Sequence, residues 1–366
     1  MKITQFDLHV IEMDLVAPFV TSLGSVSGRR GILVEARDES GATGYGEAVA
    51  FSTPWYTEET VATCFHMIKD ILAPMLLNKS FSCPKEAAER MAAVRKNPMA
   101  KAALDMAIWD IYAKKKGEPL SKVIGGTRKE VLAGVAVGAD TIEKLLAQVN
   151  HAKNDGYKRV KVKIGPGNDL ERLRAIRHSY PEMAILADAN SSYSSFEKDL
   201  HELDAFGLQM IEQPLHPDDL VQHAALQKKL KTPICLDESI TSFQDAWSAI
   251  QLGSCKVINI KIGRVGGITE AIRIHDLCEK HGIQVWCGGM LEFGVSRAHN
   301  IALATLKGFS IPGDISSSKR YWKKDITTPE VQVSNGIIHP FKGAGIGVEI
   351  DWERVEEVRT QHEVVK

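Results

Sequence analysis

From about residue 131 the chain repeats one unit. A short apolar, β-branched run leads into a turn and then into a charged segment of helical periodicity. The runs are "AGVAVG", "VKVKIG", "ILADAN", "MIEQP", "ICLDES", "VINIKIG", "IQVWCGG" and "FSIPGD". Marked at Ala133, Val160, Ile185, Met210, Ile234, Val257, Ile283 and Phe309, they are separated by 27, 25, 25, 24, 23, 26 and 26 residues. Eight strands at near-equal spacing, each followed by a helix, predict a parallel β/α barrel. The alternative, an open doubly wound sheet, lacks the G-x-G-x-x-G that would follow its first strand. Polar residues gather at the C-terminal ends of the runs, where such barrels keep their active sites.

The preceding residues read differently. Alternation in "ITQFDLHVIEM", "RRGILVEARDE" and "ATGYGEAVAF" predicts a three-stranded antiparallel meander, with "ESGATG" as a hairpin turn. In "NPMAKAALDMAIWDIYAKKKG" Asn97 is the expected cap, Pro98 suits the first turn and Gly117 the end. The Asn-Gly of "VQVSNGIIHP" signals another hairpin in the tail. The expected organisation is an α+β capping domain over 1–125, a barrel over 126–325, and a tail over 326–366 packed back on the cap.

A formal net charge of -1, with both signs spread along the chain, gives no nucleic-acid footprint and points to a small-molecule ligand. The N-terminus carries Asp7, Glu12 and Asp14, unlike a secretory leader, and no apolar run reaches the ~18 residues of a membrane span. Cysteines 64, 83, 235, 255, 278 and 287 show no C-x-x-C spacing and read as reduced, mostly buried thiols. A cytoplasmic protein with no membrane partner is expected. A homo-oligomer is expected too, although periodicity leaves its size open.

Three acids end adjacent runs: Asp188 in "ADAN", Glu212 in "IEQP" and Asp237 in "LDES", 24 and 25 residues apart. Carboxylates converging there repel unless a cation neutralises them, and all-oxygen ligation suits Mg²⁺. An isolated acid at such a position would read as a helix cap, and Glu238 rivals Asp237 as ligand. Asn190, Gln213 and Glu238 are candidate supporting or substrate contacts.

The second run carries Lys161 and Lys163, which a strand's period of two turns to the same side. The sixth carries Lys261, four strands away and across the barrel. Repulsion from Lys161 would favour a neutral Lys163 amine able to take a proton. A structural salt bridge for Lys161, or a snorkelling lysine, is the competing reading. Carboxylate metal sites flanked by ammonium groups suit removal of the proton α to a carboxylate, because their charges stabilise the enediolate. Proton return on the other face gives racemisation, and loss of a β substituent gives elimination. A Schiff-base aldolase using Lys163 and a non-catalytic binding barrel are the readings from other classes.

K-x-K, D-A-N, I-E-Q-P, L-D-E-S, N-I-K and "WCGGMLE", together with "PWYTEET", "AIWDIYAKKKG", "GSCKVINIKIGRVGG" and "IPGDISSSKRYW", resemble the enolase superfamily, muconate-lactonizing subgroup. Within it the match is to the group of o-succinylbenzoate synthases and N-succinylamino acid racemases of Bacillus-type bacteria, over nearly the whole chain. The resemblance implies a modified TIM-type (β/α)7β barrel under a capping domain, Mg²⁺ on Asp188, Glu212 and Asp237, and Lys163 and Lys261 as the acid/base pair. Synthases of this kind dehydrate 2-succinyl-6-hydroxy-2,4-cyclohexadiene-1-carboxylate on the path to menaquinone, with the Lys261 equivalent stabilising the enolate; in the racemases both lysines move protons. Dipeptide epimerases and cycloisomerases share the site. The resemblance further implies a pocket formed by Phe19 in "APFVTSLGS", Trp55 in "AFSTPWY", and Gly288, Met290 and Phe293 around "WCGGMLE". Arg264 occupies the position of an arginine that accompanies racemase activity, against the alternative of a surface or helix-start arginine. Phe293 stands where many relatives have a small polar residue, and Ala136 where several have serine.

Overall fold

The computed structural model describes residues 1–21, 24–167, 169–193 and 197–366, and their side chains except those of 19–21, 24, 25 and 197–199. The expected meander is present as β1 (Ile3–Thr21), β2 (Gly24–Asp38) and β3 (Thr43–Ala48), with the turn of "ESGATG" between the last two. β1 and β2 continue pairing as far as Thr21 and Gly24, so the described part of "APFVTSLGS" extends the β1–β2 ribbon.

One face of this sheet packs on the helix Pro98–Lys115, which is buried from Met99 to Ala113 except at the half-buried Lys101 and Tyr112 because it lies between sheet and barrel. The approach requires glycine at β3: a Cβ at Gly46 would stand 1.9 Å from the Ala103 carbonyl oxygen, and one at Gly44 2.3 Å from that of Ala107. Asn97 does not cap this helix. It sits in the left-handed region at φ 56° with no side-chain cap bond. The buried Glu59 carboxylate accepts from Met99 N at 2.8 Å and Ala100 N at 3.1 Å instead.

Seven parallel strands follow in sequential order: β4 (Val135–Val137), β5 (Arg159–Lys163), β6 (Ala184–Asp188), β7 (Met210–Glu212), β8 (Ile234–Leu236), β9 (Val257–Ile260) and β10 (Gln284–Cys287). The eighth run forms no regular strand, and Pro312 can donate no ladder bond. It nevertheless closes the ring: Asp314 N donates to Cys287 O at 2.9 Å on one side, and Gly134 N to Gly313 O at 2.7 Å on the other. The fold is therefore a (β/α)7β barrel beneath an α+β cap.

Strand alternation sorts the core. Leu186, Met210, Cys235, Val257, Trp286 and Ile311 form an interior cluster. Val160, Val162, Ile185 and Ala187 belong to the outer layer against the helices. Arg159, Lys161 and Lys163 hence share the interior face.

In the tail, Asn335 and Gly336 take positive φ and Ser334 and Ile337 exchange backbone bonds, the two-residue hairpin that Asn-Gly predicts. Ile337–Ile338 pairs with Val131–Leu132 beside the barrel, whereas β11 (Arg359–Val365) pairs antiparallel with β1 in the cap. Only the last part of the tail thus joins the capping sheet. All six cysteines are free, and all but Cys83 are buried. No helix among the described residues is long and apolar enough to cross a membrane.

Candidate active site

Register brings the polar strand ends together: Lys163 on β5 pairs with Asp188 on β6, which pairs with Glu212 on β7. Above them lies a cavity of about 760 Å³, its open mouth included, walled by Phe51, Trp55 and Tyr56 from the cap and by barrel strand ends. Lys161, Lys163, Asp188, Asn190, Asp237, Lys261, Met290 and Ala136 reach it. Met290 and Leu291 also pack in the cap's core cluster, so the segment after β10 joins the two layers at the cavity wall.

Lys161 answers to three carboxylates, with Nζ 2.8 Å from Glu212 Oε2, 2.9 Å from Asp188 Oδ2 and 3.1 Å from Asp314 Oδ2. Burial opposes its charge, but Asp188, Glu212 and Asp314 outweigh burial and hold Lys161 protonated well above the ordinary lysine range. Burial likewise opposes ionisation of Asp188 and Asp314, yet Lys161 with Lys163, and Lys161 with Arg159, keep them well below the usual carboxylate range. The structural ion pair weighed for Lys161 is therefore present, and both lysines meet the same Asp188 oxygen.

Lys163 Nζ donates to Asp188 Oδ2 at 2.6 Å and Asn190 Oδ1 at 2.5 Å, and Asn190 Nδ2 donates to Glu238 Oε1 at 2.8 Å. Its side chain is 18% exposed against 6% for Lys161, so it is the more reachable of the pair.

Across the barrel, Lys261 Nζ lies 2.8 Å from the Tyr56 hydroxyl and 2.9 Å from Asp237 Oδ2. Burial lowers its affinity for a proton, but the Tyr56 oxygen and the Glu238 and Glu212 carboxylates prevail and raise it above the ordinary value. Close approach at Gly288 permits this placement, since a Cβ there would meet Lys261 Cε at 2.8 Å. Arg264 is neither exposed nor a free helix-start residue. It is fully buried, pairs with Asp237, and donates to Ile240 O at 2.7 Å and the Tyr56 hydroxyl at 3.3 Å.

Other expected residues lie behind the wall. Gln213 Oε1 accepts from Asp237 N at 3.0 Å and Ser239 N at 3.2 Å, bracing the end of β8. Phe293, expected in the pocket, is a core residue: it is 0% exposed, its ring lies 5.2 Å from that of Trp322, and it precedes the helix Gly294–Leu303. The Phe19 side chain lies outside the described residues. Sequence reasoning did not single out Tyr56, Arg159, Asn259 or Asp314. Arg159 continues the period-two series of Lys161 and Lys163, Asn259 stands in the same period of two from Lys261, and Asp314 ends the eighth run, so all three had a signal; Tyr56 had none of comparable kind.

Among the described residues, no three ligating side chains close on a common point. Each acid is instead taken up by cations: Asp188 by Lys161 and Lys163, Glu212 by Lys161, and Asp237 by Lys261 and Arg264. The donor set is all oxygen, at the ends of three adjacent strands, and the buried Glu238 Oε2 beside it has no hydrogen-bond partner. These residues fit a hard divalent cation, with Glu238 still a rival to Asp237.

Residues 5–125 match the family described as mandelate racemase / muconate lactonizing enzyme, N-terminal domain, and residues 144–355 the one described as enolase C-terminal domain-like. The chain is 54% identical over 351 residues to an o-succinylbenzoate synthase of Geobacillus kaustophilus, covering 95% of this chain and 94% of the relative. It is 44% identical over 360 residues to an N-succinylamino acid racemase of Thermus thermophilus, covering 98% and 97%. A crystal structure of an enolase-superfamily member from Listeria innocua matches it with a TM-score of 0.97 at 42% identity, covering 100% and 99%.

Proposed function

The chain belongs to the mandelate racemase / muconate lactonizing family of the enolase superfamily, and from that premise we propose that it is an o-succinylbenzoate synthase. The reaction is loss of water from 2-succinyl-6-hydroxy-2,4-cyclohexadiene-1-carboxylate. One observation carries the reading: two lysine amines, Lys163 and Lys261, flank the carboxylate set from strand ends four positions apart in the sheet.

Asp188, Glu212 and Asp237 would hold a divalent cation, which we assign as Mg²⁺ from their oxygen donors. When bound, the cation supplies positive charge to the substrate's carboxylate as the α carbon loses its proton. Lys163 takes that proton as the neutral amine, leaving an enediolate. Asn190 holds the Lys163 amine in place, and Lys261 contributes an ammonium to the developing negative charge. The proton on Lys163 then passes to the departing hydroxyl, which leaves as water, and the ring becomes aromatic. Lys161 stays protonated and holds the Asp188 and Glu212 carboxylates in position.

A second activity, racemisation of N-succinylamino acids, is favoured by the presence of Lys261 on the cavity wall, where it can return a proton to the opposite face. The menaquinone step, a cytoplasmic location, which six free thiols support, and assembly as a homo-oligomer belong to the same proposal. The direct test is the loss of diene absorbance on adding Mg²⁺-loaded protein to the cyclohexadiene substrate. Fast conversion to o-succinylbenzoate is expected. No conversion by protein shown to bind Mg²⁺ would overturn the synthase assignment.

A further inference from the structure

Cations stand at more than one part of the cavity wall. Besides the three lysines, Arg297 reaches it from the helix Gly294–Leu303. Its residue is 2% exposed, and its matching is poor. Nη1 donates to Ser318 Oγ at 3.1 Å and Nη2 to the Ser316 carbonyl oxygen, both neutral acceptors. Asp325 Oδ2 is 4.0 Å from Nη1, and that carboxylate already accepts from Gly294 N, Ile326 N and Ser318 Oγ. Lys161, Lys163 and Lys261, by contrast, meet carboxylates at 2.8, 2.6 and 2.9 Å. Of the four acids lining the cavity, Asp188, Asp237 and Asp314 are paired with Lys161, Lys163, Lys261, Arg159 and Arg264, and Glu292 is turned to Met290 N and Asn300 Nδ2. Arg297 also lies in the first turns of its helix, where the dipole disfavours a cation. A buried guanidinium with weak compensation and a face on a cavity is matched best by an anion from outside the chain.

We propose that Arg297 anchors a second, remote carboxylate of the substrate and thereby selects ligands carrying a succinyl arm. The inference deepens the synthase reading and rests on it. Ser316, which Arg297 holds, is two residues past Asp314, whose Oδ2 lies 3.1 Å from Lys161. Two residues span at most about 7 Å, which keeps both cationic ends within reach of one small dicarboxylate. Tyr321 lines the wall beside it, its ring 5.3 Å from the guanidinium, and its carbonyl accepts from Val16 N at 2.9 Å, tying the anchor to β1 of the cap.

The test compares binding of o-succinylbenzoate with o-propanoylbenzoate, which lacks only the remote carboxylate, by calorimetry on Mg²⁺-loaded protein, with synthase turnover measured on the same sample. The wild type should prefer the succinyl ligand by about 10- to 100-fold, the range expected for a charge-assisted bond. Arg297→Met should remove that preference while leaving the monocarboxylate's affinity unchanged, and Arg297→Lys should restore part of it. Equal weakening of both ligands in Arg297→Met would make the arginine a purely structural brace and overturn the proposal. So would a wild type that binds the two ligands equally, a readout that needs no variant to fold. Preserved preference without turnover would sink the synthase reading and leave the anchor standing.

Discussion

Lys261 and Tyr56 meet across the boundary between barrel and cap, with Nζ 2.8 Å from the hydroxyl and 4.7 Å from the ring centre. The same hydroxyl accepts from Arg264 at 3.3 Å and donates to Asp237 Oδ1 at 3.1 Å. One cap side chain therefore orients a barrel cation and a barrel acid together.

Tyr56→Phe keeps the ring and deletes the shared oxygen. Hydrogen bonds to charged groups contribute about 1.5–3 kcal/mol, so kcat should fall about 10- to 100-fold. KM should change little, because the ring still lines the wall. Steady-state kinetics on either substrate checks this, and a loss confined to KM would make Tyr56 a binding surface only.

Lys163→Ala removes the amine held at 2.5 Å by Asn190. A positioned base contributes about 10²- to 10⁴-fold, and no other described amine shares its side of the carboxylate set except Lys161, whose charge three carboxylates retain. Turnover should be lost, together with exchange of the substrate's α proton with deuterated solvent. Near-native rate in this variant would sink the assignment of the base.

The two lysines and three acids were legible because strand period and barrel repeat are regular: period two put Lys161 and Lys163 on one face, and one repeat separates successive acids. What was not legible came from irregular or distant chain. Tyr56 sits in a segment without periodicity, and Asn259, although it precedes Lys261 by the same period of two, shows its part only through its bond to Glu212 at 2.9 Å. Glu59 replaces Asn97 as the cap, reaching Met99 N from 40 residues away in sequence, a relation that local cap rules cannot see. Phe293 escapes such a reading because a residue after an active-site strand end can turn into the helix layer as readily as into the mouth.

Arg264 contacts no part of the cavity directly; it acts through Asp237, Tyr56 and the carbonyl oxygens of Ile240 and Asn259. Arg264→Met should lower racemisation more than dehydration, since racemisation needs Lys261 to exchange a proton and dehydration needs only its charge. The ratio of the two activities, with α-deuterium exchange from each enantiomer, reads this. Equal losses would make the arginine a brace without a part in proton transfer.

Asp237→Asn tests the cation site. Breaking a buried ion pair by removing one partner costs about 3–5 kcal/mol, so a lowered Tm is expected because Lys261 and Arg264 lose their counter-ion. The concentration of Mg²⁺ giving half-maximal activity should rise sharply. Chelation should abolish wild-type turnover and Mg²⁺ restore it. An unchanged Mg²⁺ requirement in the variant would transfer the ligand role to Glu238.

Asp105 joins the long cap helix to the barrel helix Ile268–His281, accepting from Thr269 N at 3.1 Å and bonding Thr269 Oγ1 at 2.6 Å. Burial is the largest influence on it, and its pKa is raised from 3.8 to about 7. The unfolded chain releases this proton near pH 3.8 and the folded chain only near 7, so the contribution to stability is complete below 3.8 and is lost as pH climbs through that window. A tenfold change in proton affinity is equivalent to about 1.4 kcal/mol, so the effect is a few kcal/mol at most. Asp105→Asn keeps both bonds, because its amide can donate to Thr269 Oγ1 while its oxygen accepts from Thr269 N. Urea unfolding at pH 5 and pH 8 should therefore differ less in the variant than in the wild type, with the variant the more stable at pH 8. An identical pH dependence in both would mean that Asp105 is ionised in the folded protein, with Thr269 donating to it.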